Sequence, residues 1–292
     1  MRYVVKLGGS LITHKGIEDY PQRPIDVRKN PGKYIKLDVL ENIADIIDRT
    51  KKRDKNLELI LVTGAGCCGH PQVKANFPPK VISEIASMPA NYLSDALIVK
   101  GVKNVVLSPM YFVECLESDG KHGTKYDMQR LWECILPEHR KDEKLPYIVI
   151  SHGDVAYMGE GKKGRLGDYE VVSGDDLMTY FGEAWPANKV INVSNVDGVY
   201  TEFPNKPGQK PIMRILANEK LKDNTHFKEK MESMYKVIFN SVDDVTGGLF
   251  AKARKLYDFT HRTRIQSQLV GINHLRGVLH GQHAGTLIER TV

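Results

Sequence analysis

The sequence predicts an α/β protein with a mostly parallel sheet sandwiched by helices, and three observations carry that expectation. Short strand-like runs alternate along the chain with segments whose apolar residues fall at helical spacing. Leu57 to Thr63 (LELILVT) and Lys189 to Ser194 (KVINVS) read as strands buried on both faces. Glycine- or serine-bearing turns follow four of the runs, at the strand ends where open parallel sheets bind ligands.

In order, strand Arg2 to Leu7 enters the turn Gly8-Gly9-Ser10, and a Pro- and Arg-containing loop, Pro21 to Lys33, delays the first long helix. That helix is expected from Lys36 to Thr50, where Leu37, Leu40, Ile43, Ala44 and Ile47 make one apolar face. Strand Leu57 to Thr63, a second glycine turn from Gly64 to Pro71 and helical segments to Gly101 follow. Next come strand Asn104 to Ser108, a helix near Tyr126 to Ile135 and strand Tyr147 to Ser151. A hairpin is expected across Val155 to Val172, with Gly159, Gly161, Gly164 and Gly167 at its tip. Helix Asp175 to Ala184, strand Lys189 to Ser194, helix Gly247 to Thr260 and strands Ile265 to Ile272 and Thr286 to Glu289 close the chain. One continuous sheet serving two lobes is the expected architecture.

At 292 residues the chain is long enough to bury a substantial core. Its 41% hydrophobic and 27% charged residues are those of a soluble globular protein. No apolar run approaches the roughly 18 residues of a spanning helix, and the N-terminus runs straight into a strand; a cytoplasmic protein without membrane contact is expected. The net charge of +6 comes from scattered Lys and Arg, so an anionic small molecule explains it as well as nucleic acid does, and no nucleic-acid partner is expected. Cys67, Cys68, Cys115 and Cys134 lack C-x-x-C spacing, which favours reduced thiols.

Lys6 lies one residue before its strand ends, and Lys15 lies just beyond the turn. A strand, a glycine turn and two ammonium groups suit a polyanion such as a nucleotide triphosphate. The spacing of a Walker A loop is absent, and an ordinary βα turn is the alternative. In Gly64-Ala-Gly-Cys-Cys-Gly-His-Pro71 the glycines can offer amides to an anion and His70 a hydrogen bond. Ser151-His-Gly-Asp154 and Ser173-Gly-Asp-Asp176 complete the set, the latter with carboxylates beside a helix N-terminus. Each has a plainer reading: Asp175 as a cap, Asp154 as a turn former, His70 as a surface residue, the two cysteines as packing. The convergence of all four turns on one sheet edge favours a functional site.

The order Lys6-Leu-Gly-Gly-Ser10, Gly64-Ala-Gly66, Ser173-Gly-Asp175, Asn195-Val-Asp-Gly-Val-Tyr-Thr201, Asp244-Val-Thr-Gly-Gly-Leu249 with Lys252, and Gly285-Thr-Leu-Ile288 resembles the amino acid kinase superfamily. Gly69-His70-Pro71 and Asp244-Val-Thr-Gly-Gly resemble its isopentenyl phosphate kinase branch, near the mevalonate 3-phosphate 5-kinases and fosfomycin kinases. The resemblance implies a three-layer αβα sandwich with a mostly parallel central sheet, residues 1–172 binding the phosphoryl acceptor and 173–292 binding ATP. It further implies ATP and Mg²⁺, a small phosphorylated acceptor of isoprenoid (mevalonate pathway) metabolism, and a homodimer. By the same resemblance Lys6, Lys15 and Lys252 serve the migrating phosphoryl group, Asp175 holds Lys6 and Lys252, and His70 reads the acceptor's phosphate. Gly8, Gly9, Ser10, Asn195, Asp197, Gly198, Tyr200, Thr201, Gly247 and Gly248 would line the ATP site. Gly64, Ala65, Gly66, Gly69, Gly153 and Asp154 would line the acceptor site, and no protein metal ligand is assigned. Phosphoryl transfer needs positioning and charge neutralisation more than a covalent residue, which suits this set. An acceptor that is already a phosphate needs no general base; for an alcohol acceptor His70, His152 or Asp154 would be the candidates.

Three features depart from the isopentenyl phosphate kinase pattern. Cys67-Cys68 replaces Ser-Phe, and Gln72 to Ser87 is short, polar and broken by Pro78-Pro79. Lys74 and Lys80, with Arg23, Arg28 and Lys29 in the longer first loop, add cations that suit a more polar acceptor such as mevalonate 3-phosphate. Isopentenyl phosphate ranks first on motif match. A non-catalytic nucleotide- or oxyanion-binding protein of the same fold is the alternative of a different class; Lys6, Lys15, Asp175 and Lys252 speak against it.

Overall fold

The computed structural model describes residues 1–118, 124–127, 144–160, 162–185, 187–201, 208–237 and 248–291. Its strands are β1 (Arg2–Leu7), β2 (Glu58–Thr63), β3 (Asn104–Leu107), β4 (Glu114–Ser118), β5 (Thr124–Asp127) and β6 (Ile148–His152). They continue as β7 (Asp154–Tyr157), β8 (Tyr169–Val172), β9 (Lys189–Ser194), β10 (Arg214–Leu216), β11 (Gln266–Gly271) and β12 (Thr286–Glu289). The longer helices are α1 (Leu37–Arg53), α2 (Pro79–Ala86), α3 (Met88–Val99), α4 (Gly174–Ala184), α5 (Asn224–Tyr235) and α6 (Gly248–Thr263).

An eight-stranded sheet runs in the order β10-β12-β11-β9-β1-β2-β6-β3. Its pairings are parallel except that of β11 with β12. β1, β2 and β9 are buried almost throughout because helices cover both faces, which explains their continuous apolar character. Side chains alternate across the sheet, so Val4 joins Val62, Val190, Leu177, Phe181, Leu256 and Phe259 under α4 and α6. Val5 joins Leu61, Ile191, Leu40, Ile43, Ile47, Leu93 and Leu97 under α1 and α3. The result is the three-layer sandwich. Leu40, Ile43 and Ile47, each at most 1% exposed, contribute about 1.5–3 kcal/mol apiece by burial. Lys51, Lys52 and Arg53 end α1 where the helix dipole favours cations.

The expectation of one continuous sheet requires correction. A second sheet, β5-β4-β7-β8, stands apart, antiparallel in two of its three pairings. The Gly153 amide donates to Thr63 O at 2.9 Å, so the chain turns at the end of β6 and β7 begins a new sheet. The expected hairpin is β7 with β8, from Asp154 opposite Val172 to Tyr157 opposite Tyr169. Of the helix expected near residues 126–135, Tyr126 and Asp127 belong to β5, and the rest lies outside the described residues. Residues 72–87 are broken as expected: a short helix His70–Lys74 ends, Asn76 takes φ 51°, and α2 starts at Pro79. Cys67 and Cys68 are free thiols, Cys115 is buried, and Cys134 lies outside the described residues. No helix among the described residues is long and apolar enough to cross a membrane.

Candidate active site

Lys6 and Asn192 are register partners on β1 and β9, so their side chains leave the sheet on the same face, towards α4. Lys6 Nζ donates to Asp175 Oδ1 at 2.9 Å, and Asn192 Nδ2 donates to the same oxygen at 2.9 Å. Asp175 is available for this because Ser173, not Asp175, caps α4: Ser173 Oγ accepts from the Asp176 amide at 3.1 Å. Burial would raise the Asp175 carboxyl, but the Lys6 charge and hydrogen bond, followed by the charges of Lys255 and Lys252, overcome it and hold the group below the usual carboxylate range. Lys255, one turn beyond Lys252 on α6, contacts Asp176 Oδ1, whose other oxygen accepts from Ser173 Oγ at 2.8 Å. Among the described residues, three lysines therefore converge on the two carboxylates that open α4. A buried ion pair adds little to stability, since desolvating both ions offsets their attraction; this cluster is better explained by an anionic ligand.

The glycine turns touch one another. A Cβ on Gly64 would lie 2.4 Å from the Gly9 nitrogen, and one on Gly9 would lie 2.7 Å from the Gly66 nitrogen. A Cβ on Gly153 would lie 3.3 Å from the Gly174 nitrogen and 3.8 Å from that of Ala65. The turns after β1, β2 and β6 and the start of α4 thus form one surface around Lys6. Not every expected amide is available, however. Those of Gly8, Gly64 and Gly153 are committed to the carbonyls of Val193, Leu7 and Thr63 at 2.9, 2.8 and 2.9 Å. Among the described residues, the amides of Gly9, Ser10, Ala65 and Gly66 donate to no protein acceptor, which leaves them available to an anion.

His70 is exposed and opens the short helix after the second turn. Crowding by the surrounding protein, then the charges of Lys6 and Lys74, push its pKa down against the pull of Asp175. His70 therefore shares one electrostatic field with the Lys6–Asp175 pair. Gly69 is buried against Ala65, Lys15 is exposed beyond the first turn, and Lys74 and Lys80 are exposed. Cys68 is fully buried, and Cys67 donates from Sγ to Tyr34 O at 3.3 Å, which favours packing roles for both.

Asn195 and Asp197 follow β9, Asn195 exposed and Asp197 with an oxygen 3.7 Å from His274 Nε2. Gly198 packs so tightly that a Cβ would lie 2.6 Å from Thr286 Oγ1, which also accepts from the Val199 amide at 2.8 Å. Tyr200 is buried at 3% exposure, and Thr201 Oγ1 accepts from Gln209 Nε2 at 2.7 Å. Tyr200 thus packs in the interior. Gly248 opens α6, while Asp244 to Gly247 lie outside the described residues. His152 and Asp154 are both buried behind the third turn, at 0% and 4% exposure. Burial makes a direct substrate contact by the Asp154 carboxylate unfavourable.

Sequence reasoning placed Asp176 beside a helix N-terminus without a partner and missed Asn192, Lys255 and Lys36, the last donating from Nζ to Ser10 O at 3.1 Å. Asn192 left one signal, an amide at the centre of an apolar strand; Lys255 left its spacing from Lys252.

Residues 1–270 match the sequence model of the amino acid kinase family. The chain is 26% identical over 262 residues to an isopentenyl phosphate kinase of Methanocaldococcus jannaschii, covering 85% of this chain and 84% of that protein. It is 24% identical over 269 residues to one from Methanothermobacter thermautotrophicus, covering 87% and 85%. Among solved structures, an isopentenyl phosphate kinase superposes with TM-score 0.68 at 22% identity, covering 99% of this chain and 100% of that one. Carbamate kinase from Giardia lamblia bound to AMP-PNP superposes with TM-score 0.60 at 13% identity, covering 99% and 98%.

Proposed function

Because the chain belongs to the amino acid kinase family, we propose that it transfers the γ-phosphoryl group of ATP to isopentenyl phosphate, giving isopentenyl diphosphate. The observation that carries this reading is the Lys6–Asp175–Asn192 cluster at the end of β1, within the electrostatic field that also acts on His70. Curated relatives over most of the chain act in the same direction, being isopentenyl phosphate kinases by name.

In this reading residues 1–172 hold the acceptor, residues 173–292 hold ATP, and the junction is the β1–β9 pairing. The acceptor's phosphate lies against His70 and the free amides of Ala65 and Gly66. Its oxygen is already ionised, so attack on the γ-phosphorus needs no general base. Asp175 and Asn192 fix Lys6 before the reaction, so its ammonium meets developing charge without reorganising. Lys252 approaches from α6, and Lys255 ties that helix to Asp176. Lys15 reaches in from beyond the first turn. The donor set here is ammonium groups, glycine-turn amides and a carboxylate bonded to Lys6 and Asn192, which fits a Mg²⁺ carried on the nucleotide's phosphates rather than in a protein cage. Such an ion would supply charge neutralisation to the transferring phosphates. The same reading has the chain acting in the cytoplasm as a homodimer, checked by light scattering against the 32.9 kDa chain mass.

A second reading has its own observation. Lys74 lies one turn beyond His70 and its charge acts on the ring, which suits an acceptor carrying a carboxylate besides its phosphate. The test is ATP consumption with isopentenyl phosphate, dimethylallyl phosphate, mevalonate 3-phosphate, mevalonate 5-phosphate and fosfomycin. The highest kcat/KM is expected with isopentenyl phosphate; a preference for mevalonate 3-phosphate selects the second reading, and no turnover of any phosphate rejects both.

A further inference from the structure

We propose that Asp154 is a positioning residue for the acceptor half of the site, acting through a pair of serine hydroxyls rather than by touching substrate. Asp154 Oδ2 accepts hydrogen bonds from Ser83 Oγ at 2.9 Å and Ser108 Oγ at 2.5 Å, and the two hydroxyls lie 3.2 Å apart. His152 Nδ1 is 3.8 Å from the same oxygen. Ser83 belongs to α2, Ser108 follows β3, and Asp154 begins β7, so one oxygen ties three elements together.

Two features separate this node from ordinary core packing. The first is its cost. Among the described residues no Lys or Arg forms an ion pair with Asp154, and Asp154 Oδ1, His152 Nε2 and Thr63 Oγ1 are buried without a hydrogen-bond partner. An apolar side chain would fill the same space without leaving a buried Oδ1 unmet, so stability alone does not explain an acid here. The second is its direction. α2 is the next long helix after the turn that carries His70, it packs against β7, and Ser83 is on its inward face. Gly153, the neighbour of Asp154, sits against the Ala65 amide offered to the acceptor. The node fixes α2 and this turn relative to each other, and with them the wall behind His70. No hydrogen bond of the node reaches α6 or Asn195 to Thr201.

The inference rests on the acceptor binding at His70, as in the proposed function. Its test compares the full-length wild type with Asp154→Asn, Asp154→Leu and the double variant Ser83→Ala/Ser108→Ala, using isopentenyl phosphate and ATP. Asn keeps an oxygen that accepts both hydroxyls, whereas Leu keeps only the volume. Asp154→Leu and the double serine variant should raise KM for isopentenyl phosphate about ten-fold or more, with KM for ATP changed by less than about two-fold. Asp154→Asn should recover most of the loss. The inference is overturned if Asn is as impaired as Leu, if both KM values rise by the same factor, or if Leu changes neither. Where Asp154→Leu fails to fold, the double serine variant decides on the same criteria. If the wild type does not turn over isopentenyl phosphate, the proposed function fails separately, and hydrogen–deuterium exchange then decides the inference. Faster exchange in residues 79–86 of the double serine variant, with α6 unchanged, supports it; equal exchange in both regions overturns it.

Discussion

Lys6 and Asn192 stand opposite each other on adjacent parallel strands and donate to the same oxygen of Asp175, each at 2.9 Å. Two strands and a helix N-terminus thereby fix one ammonium group before any ligand arrives. Asp175 thus orients Lys6, and its own charge is preserved by that contact.

Acid titration should expose this. The Asp175 carboxyl titrates below its ordinary value of 3.8, so the stability it contributes is fully present above pH 3.8 and is lost as pH falls through the lower folded-state value. Asp175→Asn should therefore lose less stability than the wild type between pH 4 and roughly pH 2, read as urea midpoints. Parallel curves for the two proteins would separate Asp175 from Lys6.

If His70 binds the acceptor's phosphate as proposed, His70→Ala removes a hydrogen bond to a charged group, worth about 1.5–3 kcal/mol, so kcat/KM for isopentenyl phosphate should fall roughly ten- to a hundred-fold. ATP affinity should hold, and His70→Gln should retain part of the activity. An equal loss on acceptors without a phosphate would make His70 structural or a base.

The His70 ring should also report its ligand by NMR. In the free protein it should titrate below 6.5, because crowding, Lys6 and Lys74 disfavour its charged form. An added phosphate dianion opposes those charges, so isopentenyl phosphate should move the titration upward. A shift produced by ATP alone would assign the ring to the nucleotide.

Gly64→Ala would put a Cβ 2.4 Å from the Gly9 nitrogen, a backbone atom that cannot yield without moving the first turn. Overpacking of this kind costs about 1–3 kcal/mol, and the melting temperature and both KM values should worsen together. Gly167→Ala is the control for open space: nothing lies within 4 Å of its added Cβ, but φ is 70°, so it should cost stability without changing either KM.

The sequence made the first strand and its turn legible as a candidate site because Lys6 sits at the end of an apolar run beside two glycines. It could not make Asn192 legible as a ligand of Asp175, since that contact depends on β9 pairing with β1 at a sequence offset of 186 residues, from Tyr3 opposite Lys189 onward. Asp175 read equally as a cap until Ser173 was seen to fill that role. The second sheet was hidden for a similar reason: the turn at Gly153 is set by a bond to Thr63, a partner no local pattern reveals. Glycine turns pointed to a candidate anion site, but which amides were already committed to the sheet depended on tertiary pairing.

The most direct test of the central claim is single-turnover transfer from ATP to isopentenyl phosphate in wild type and Lys6→Ala, with nucleotide affinity measured separately. The account predicts diphosphate formation by the wild type and a transfer rate lower by about a hundred-fold or more in the variant, with ATP Kd changed only a few-fold. Equal transfer rates, or a loss carried wholly by ATP binding, would contradict it.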